Sequence, residues 1–213
     1  MASVDLSALP LSYRPLRRFT QLFAGLALYG ASMGLMVRAG LGLDPWDVLH
    51  EGLTTRIGLS FGTVTAITGL VVLLAWLPLR QVPGIGTVAN VVVIALAVDA
   101  TLALLPEVTV LWAQVVAMVA SVVLNGLACA VYVGARLGPG PRDGLMTGLA
   151  ARTGASIRLV RTGIELSVLV LGWLLGGTVG VGTVLYALGI GPAVQFFLPS
   201  VALRAPTRVQ TAS

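Results

Sequence analysis

The segment LGLDPWDVLHEGLTTRIGLS, residues 41–60, returns 96 residues later as LGPGPRDGLMTGLAARTGAS, residues 137–156. Extended without a gap over 41–94 and 137–190, the match keeps 20 of 54 positions and ends beyond a second paired landmark, PGIGTV at 83–88 and VGVGTV at 179–184. Gly, Pro, Asp and Thr carry the identity as much as apolar residues do. The chain is therefore an internal duplication, not a chance likeness between two Ala/Val/Leu-rich stretches. Its geometric meaning depends on whether each copy crosses a membrane an odd or an even number of times.

Composition sets the solvent. Of 213 residues 57% are hydrophobic and 10% charged, and the mean hydropathy is +0.97. A soluble domain of this size needs far more polar surface, so the chain reads as a polytopic membrane protein. All 13 basic residues are arginine, and the net charge is +5. That charge belongs to membrane topology, and no nucleic-acid partner is expected. Cys129, the single cysteine, excludes an internal disulfide and reads as a small lipid-facing or packing residue.

A spanning helix needs about 20 mostly apolar residues. Six segments qualify: 19–37, 61–79, 85–105, 108–133, 159–178 and 179–198. The fifth is the weakest, because Arg161 and Glu165 lie inside it, four residues apart and able to pair on one helix face. The Gly- and Pro-rich junctions at 79–84 and 176–182 leave room only for tight turns. Arg14, Arg17 and Arg18 before the first segment resemble the start of a signal peptide. The duplication argues against that, since Gly30 pairs with Gly126 at the same offset.

With the N-terminus cytoplasmic, eleven arginines fall inside (14, 17, 18, 80, 136, 142, 152, 158, 161, 204 and 208) and only Arg38 and Arg56 outside. The positive-inside rule selects that orientation, with both termini in the cytoplasm. Each copy then has three spans, and an odd number turns the second copy upside down. The expected fold is all-α: six transmembrane helices as a 3+3 inverted repeat, plus two short amphipathic or re-entrant helices. The boundaries are a cytoplasmic tail at 1–16, the first repeat at 17–107, the inverted second repeat at 108–200 and a cytoplasmic tail at 201–213.

The two short segments, 44–56 and 140–153, begin alike. Asp44 or Gly140 precedes Pro45 or Pro141 at the first helical position, and Asp47 or Asp143 follows at the third, where a carboxylate meets free backbone N–H groups. Two arrangements fit this pattern. In one, each segment lies at the interface with Trp46 as an aromatic anchor and the aspartates as caps. In the other, the glycine-rich approach dips inward and the helix starts meet near the midplane, where inverted-repeat transporters bind substrate. The candidate substrate-binding residues are Pro45, Trp46, Asp47, His50, Pro141, Arg142 and Asp143.

Other polar residues stand inside or beside the apolar runs. Asp99 lies well inside the third span opposite Gln195 in the repeat, which suggests proton or ion coupling or a hydrogen-bonded structural carboxyl. Glu165 reads as neutralised by Arg161. His50, the only histidine, reads as solvated on the outer side or as a ligand contact. The GIGT and GVGT helix starts suit close packing better than anion binding. One His, one Cys and no clustered ligand pattern leave too little for metal or Cys/His chemistry, so no enzymatic activity, metal or cofactor is expected.

GLGLDPWDVLHEGL, IGLSFGTV, PLRQVPGIGT, GPGPRDGLM, VRTGIELSVLVLGWLLGGTVGVGT and ALGIGPAVQ together resemble the YczE branch of the YczE/YyaS/YitT family of bacterial integral membrane proteins. The resemblance runs from about Arg17 to Pro199. YitT members carry an added soluble C-terminal domain, and none is expected in the tail that ends at Ser213. The family implies little chemistry, although genes of this branch often lie beside pyridoxal-phosphate-binding regulators. That neighbourhood suggests a vitamin B6-like or amino-acid-derived solute. The expected function is a small-solute transporter or exporter working by alternating access, with the lipid bilayer and an unknown small solute as partners and homo-oligomerisation open. The alternative is a non-transporting accessory or regulatory membrane protein.

Overall fold

The computed structural model describes residues 10–203. The outer parts of both tails, Arg204 and Arg208 among them, lie outside the described residues. Eight helices follow in order: α1 Pro15–Ala39, α2 Pro45–Ile57, α3 Phe61–Leu79, α4 Ile85–Leu104, α5 Leu111–Gly134, α6 Pro141–Thr153, α7 Ile157–Leu174 and α8 Val181–Val201. Among the described residues there is no strand.

Five helices, α1, α3, α4, α5 and α8, are long and apolar enough to cross a membrane. The long helix left out is α7, which carries Arg158, Arg161 and Glu165 in its first half. Its end also differs from the expected span 159–178. The helix stops at Leu174, because Gly176 takes a left-handed φ of 102°. Leu70, Leu74, Val92, Leu96, Leu166, Val170, Val184 and Leu188 on α3, α4, α7 and α8 are all exposed. Exposed apolar surface on this scale suits lipid and not water. The protein is a multi-pass helical membrane protein.

The duplication is written in the backbone. Left-handed residues recur 96 positions apart as Gly40 and Arg136, Gly42 and Gly138, Gly58 and Gly154, and Arg80 and Gly176. The N-caps of α2 and α6, Asp44 and Gly140, share φ −65° and ψ 159°. Ser60 and Ser156 both cap the helices that follow them, through bonds from the Thr63 and Leu159 amides.

The copies interlock instead of lying side by side. The short helix of each docks on a long helix of the other, α2 on α7 and α6 on α3. Small residues make this approach close. A Cβ on Gly172 would lie 2.4 Å from the Leu49 nitrogen, and one on Gly144 would lie 2.0 Å from the Trp76 ring. The interfaces exchange large and small partners: Val48 faces Gly172 in one, while their counterparts Gly144 and Trp76 face each other in the second. Reciprocal main-chain bonds finish the lock, from Gly182 N–H to the Leu41 carbonyl (2.8 Å) and from Gly86 N–H to the Leu137 carbonyl (3.0 Å). These bonds occupy amides of the GVGT and GIGT helix starts, which therefore serve packing.

At the centre α1 packs on α4 and α5, and α5 on α8. Gly30 admits α4 at Ile94 and Ala97, and Gly126 admits α8 at Ala193, the repeat counterpart of Ala97. α1 is thus built into the core on both sides, as the Gly30 and Gly126 pairing implies. Arg18 is buried in its first turn and donates to the Ala135 and Arg136 carbonyls at the end of α5.

Candidate functional site

The starts of α2 and α6 face each other inside the bundle. Asp44 accepts hydrogen bonds from the Trp46 and Asp47 amides (2.9 and 3.1 Å), satisfying donors that a helix start leaves open. Gly140 has no side chain with which to do the same, and α6 projects Arg142 across the gap instead. Its guanidinium lies 3.7 Å from Asp44 and 3.6 Å from Asp47, and 4.9 Å over the Trp46 ring.

Behind this contact is a cavity of about 310 Å³. Its walls come from both copies in matched positions: Pro45 with Pro141, Trp46 with Arg142, Asp44 with Gly140 and His50 with Met146. The long helices add Tyr29 with Asn125, Asn90 with Tyr186, Thr65 with Arg161, Gly69 with Glu165, and Ile94 with Ile190. Residues at matched positions of the two copies therefore face one cavity.

His50 has a defined tautomer. The Thr65 hydroxyl donates to the Phe61 carbonyl (2.8 Å) and can only accept from His50 Nδ1 (3.2 Å), and Asp47 Oδ1 lies 3.1 Å from the same nitrogen. Nδ1 therefore carries a proton, and in the neutral ring Nε2 is an acceptor. Buried atoms without partners cluster here: Asp44 Oδ2, Asp47 Oδ2, His50 Nε2 and the Trp46 indole nitrogen. On the other wall, the Tyr132 hydroxyl donates to Asp143 (3.0 Å), Tyr186 donates to Asn125 (3.2 Å), and Asn125 donates to Ser32 (2.8 Å).

The two ends of the cavity differ. Its exposed lining residues, Asp143, Arg161, Gly191 and Gln195, all belong to α6, α7 and α8. The counterparts of the first three, Asp47, Thr65 and Ala95, are buried, and that of Gln195, Asp99, is half-buried. α3 packs along α4, and α7 makes no comparable contact with α8. A pair of bonds accounts for the closed side: Asp99 on α4 accepts from the Ser60 hydroxyl (2.6 Å) and the Gly62 amide (2.7 Å) at the start of α3. Gly62 permits this approach, since a Cβ there would lie 2.1 Å from the Ala95 carbonyl oxygen. In the second copy Arg158 stands where Gly62 does, and Gly191 has open space beside it.

Of the residues selected from sequence, Pro45, Trp46, His50, Pro141, Arg142, Asp143 and Glu165 line the cavity, and Asp47 lies fully buried behind Arg142. Asp99 stands outside it at the α3–α4 contact. Glu165 bonds Arg161 at 2.9 Å, the expected i,i+4 pair. Trp46 is only 5% exposed. Cys129, read as lipid-facing or packing, lines the cavity. Reading the sequence missed Tyr29, Asn90, Asn125, Tyr132 and Tyr186, uncharged polar residues that hydropathy windows average away. Tyr29 with Asn125, and Asn90 with Tyr186, sit at the repeat offset, and polar groups at matched positions in two apolar runs are a signal that finds them.

Fold and site define a multi-pass membrane protein with a cavity between two interlocked copies. Residues 16–199 match the model of a family of unknown function, DUF6198. The chain is 42% identical over 181 residues to an uncharacterised protein of Haemophilus influenzae, covering 85% of this chain and 83% of that one. It is 37% identical over 184 residues to the uncharacterised membrane protein YczE of Bacillus subtilis, with 85% and 86% covered. To the uncharacterised protein YyaS of the same organism it is 25% identical over 181 residues, with 83% and 90% covered. The chain belongs to this YczE-type family of membrane proteins. No solved structure matches it.

Proposed function

We propose that the protein is a small-solute transporter of the bacterial plasma membrane, working by alternating access between two three-span halves of opposite orientation. α7 is the sixth span in this reading, its charged first half turned to the cavity and the cytoplasmic boundary. The observation that carries it is the asymmetry of an otherwise symmetric cavity: matched residues line it, yet it is closed at α3–α4 and open at α7–α8. A transporter caught in one of two conformations has this form. Burial of Trp46, Asp44 and Asp47 supports re-entrant starts for α2 and α6, since a helix resting on the membrane surface would keep Trp46 at the interface. Arginine distribution supports cytoplasmic termini, which makes the open side the cytoplasmic one. Arg142 and Arg161, counted inside from sequence, line the cavity, Arg161 at its open side.

Side-specific thiol labelling tests the reading. A cysteine at Thr68, on the closed wall, in a Cys129→Ser background is expected to react with an impermeant reagent from the cytoplasmic face only. Adding Asp99→Ala is expected to open it to the outer face. Labelling from one face in both proteins, or equally from both faces in both, overturns alternating access.

A further inference from the structure

We infer that the cavity takes a small organic cation, a protonated amine on an aromatic or short aliphatic body, and excludes small carboxylates. This rests on the cavity being a solute site and goes further by naming the solute's charge.

Charge comes first. Four carboxylates stand at or behind the walls, Asp44, Asp47, Asp143 and Glu165, against two guanidiniums. Each guanidinium already has a carboxylate: Arg161 holds Glu165, and Arg142 faces both Asp44 and Asp47. Burial and then the neighbouring Asp47 push the Asp44 carboxyl up to about 7, and burial raises that of Asp47. The pair therefore holds either a shared proton or a charge beyond the one Arg142 meets, and Asp143 adds a further carboxylate for a cation to face. A buried unpaired carboxylate is costly, so a cation is favoured where an anion would compound the excess.

The hydrogen-bonding inventory agrees. Of the four unpartnered buried atoms at this site three accept, Asp44 Oδ2, Asp47 Oδ2 and, in its neutral tautomer, His50 Nε2, and the Trp46 indole nitrogen donates. Asp44 and His50 are 2% and 1% exposed and belong to the cavity wall. Among these unpartnered atoms acceptors outnumber donors, and an ammonium supplies the donors that a carboxylate does not. Tyr29, Tyr132 and Tyr186 contribute aromatic walls, and ring faces attract cations, as the Arg142 guanidinium over Trp46 already shows here. At about 310 Å³, the space is at the small end of ligand cavities, which run about 300–1,000 Å³.

The test uses the whole protein in lipid nanodiscs, with phenethylamine and tetramethylammonium as cationic probes and phenylacetate and 2-phenylethanol as anionic and neutral ones. The cations are expected to raise the melting temperature saturably and to slow alkylation of Cys129. The other two are expected to do neither. Asp143→Asn, a change at an exposed position, is expected to weaken cation binding by roughly tenfold while leaving the unliganded melting temperature unchanged. Phenylacetate or 2-phenylethanol binding as well as phenethylamine, no binding by either cation, or unchanged cation affinity in Asp143→Asn overturns the inference. Flux into proteoliposomes separates it from the transport reading: a cation that binds and never crosses leaves the ligand class standing and removes transport, whereas a carboxylate that binds and crosses does the reverse.

Discussion

Arg142, at the start of α6, places its guanidinium 3.7 Å from Asp44 and 3.6 Å from Asp47 at the start of α2, joining the two copies across the cavity. Asp44 and Asp47 are 2% and 0% exposed, so Arg142→Met leaves two buried like charges without a counter-ion. Removing one partner of a buried pair costs about 3–5 kcal/mol, and a fall in melting temperature of that origin is expected. Adding Asp47→Asn removes one of the stranded charges and should recover part of the loss. Thermal unfolding of both variants in detergent checks this, and a double variant no more stable than Arg142→Met would contradict it.

The exchanged packing of the short helices gives a second expectation. Gly144→Val drives side-chain atoms into the Trp76 ring, which already lies 2.0 Å from the position of a Cβ, and overpacking of this kind costs about 1–3 kcal/mol. Val48 against Gly172 is the same contact with the sizes reversed. Combining Gly144→Val with Trp76→Ala should therefore cost less than the sum of the two changes, by about 1 kcal/mol. The Trp76 indole bond to the Pro141 carbonyl (3.0 Å) is lost in the double variant, so full recovery is not expected. A double-mutant cycle read by thermal unfolding measures the coupling.

Two left-handed arginines separate backbone strain from side-chain bonding. Arg80 has φ 54° and Arg136 φ 57°, and their repeat counterparts, Gly176 and Gly40, hold the same region without a Cβ penalty. Left-handed conformation costs a non-glycine residue about 1–2 kcal/mol, partly offset by the entropy glycine adds to the unfolded chain. Arg80→Gly is expected to be neutral to stabilising by about 1 kcal/mol. Arg136→Gly is expected to destabilise, because its buried side chain also donates to the Leu203 carbonyl at 3.1 Å. Denaturation of the two variants side by side decides whether the bond outweighs the strain.

These contrasts mark how far the sequence could be read. The duplication and the Pro-x-Asp helix starts were visible in it, because Gly, Pro and Asp hold special backbone positions that recur at one offset. Helix boundaries followed to within a few residues, except after Leu174, where Gly176 stops the helix early. The pairing of Arg142 with Asp44 and Asp47 was not readable. Arg142 corresponds to Trp46 and Asp44 to Gly140, so the contact links positions the repeat does not match, and only the approach of the starts of α2 and α6 in the folded chain brings them together. Asp99 was visible as an intramembrane carboxylate, but its partners are a hydroxyl and a backbone amide on α3 that leave no charge pattern in the sequence.

That last contact supports the final prediction. Asp99 accepts from the Ser60 hydroxyl and the Gly62 amide, and Asp99→Ala deprives both donors of their acceptor, an effect of about 1–3 kcal/mol where the group stays buried. Its consequence should be local, loosening the first turn of α3 before the rest of the bundle, since this turn joins α3 to α4 at the closed end of the cavity. Hydrogen exchange at the Gly62 amide is expected to accelerate in Asp99→Ala and less in Asp99→Asn, whose side-chain carbonyl can still accept from that amide. Gln195→Ala, at the matched position on the open side, has no such bond to lose and should leave exchange at Gly62 unchanged. Equal acceleration in Asp99→Ala and Gln195→Ala would show that Asp99 acts on the bundle as a whole and not as the latch between α3 and α4.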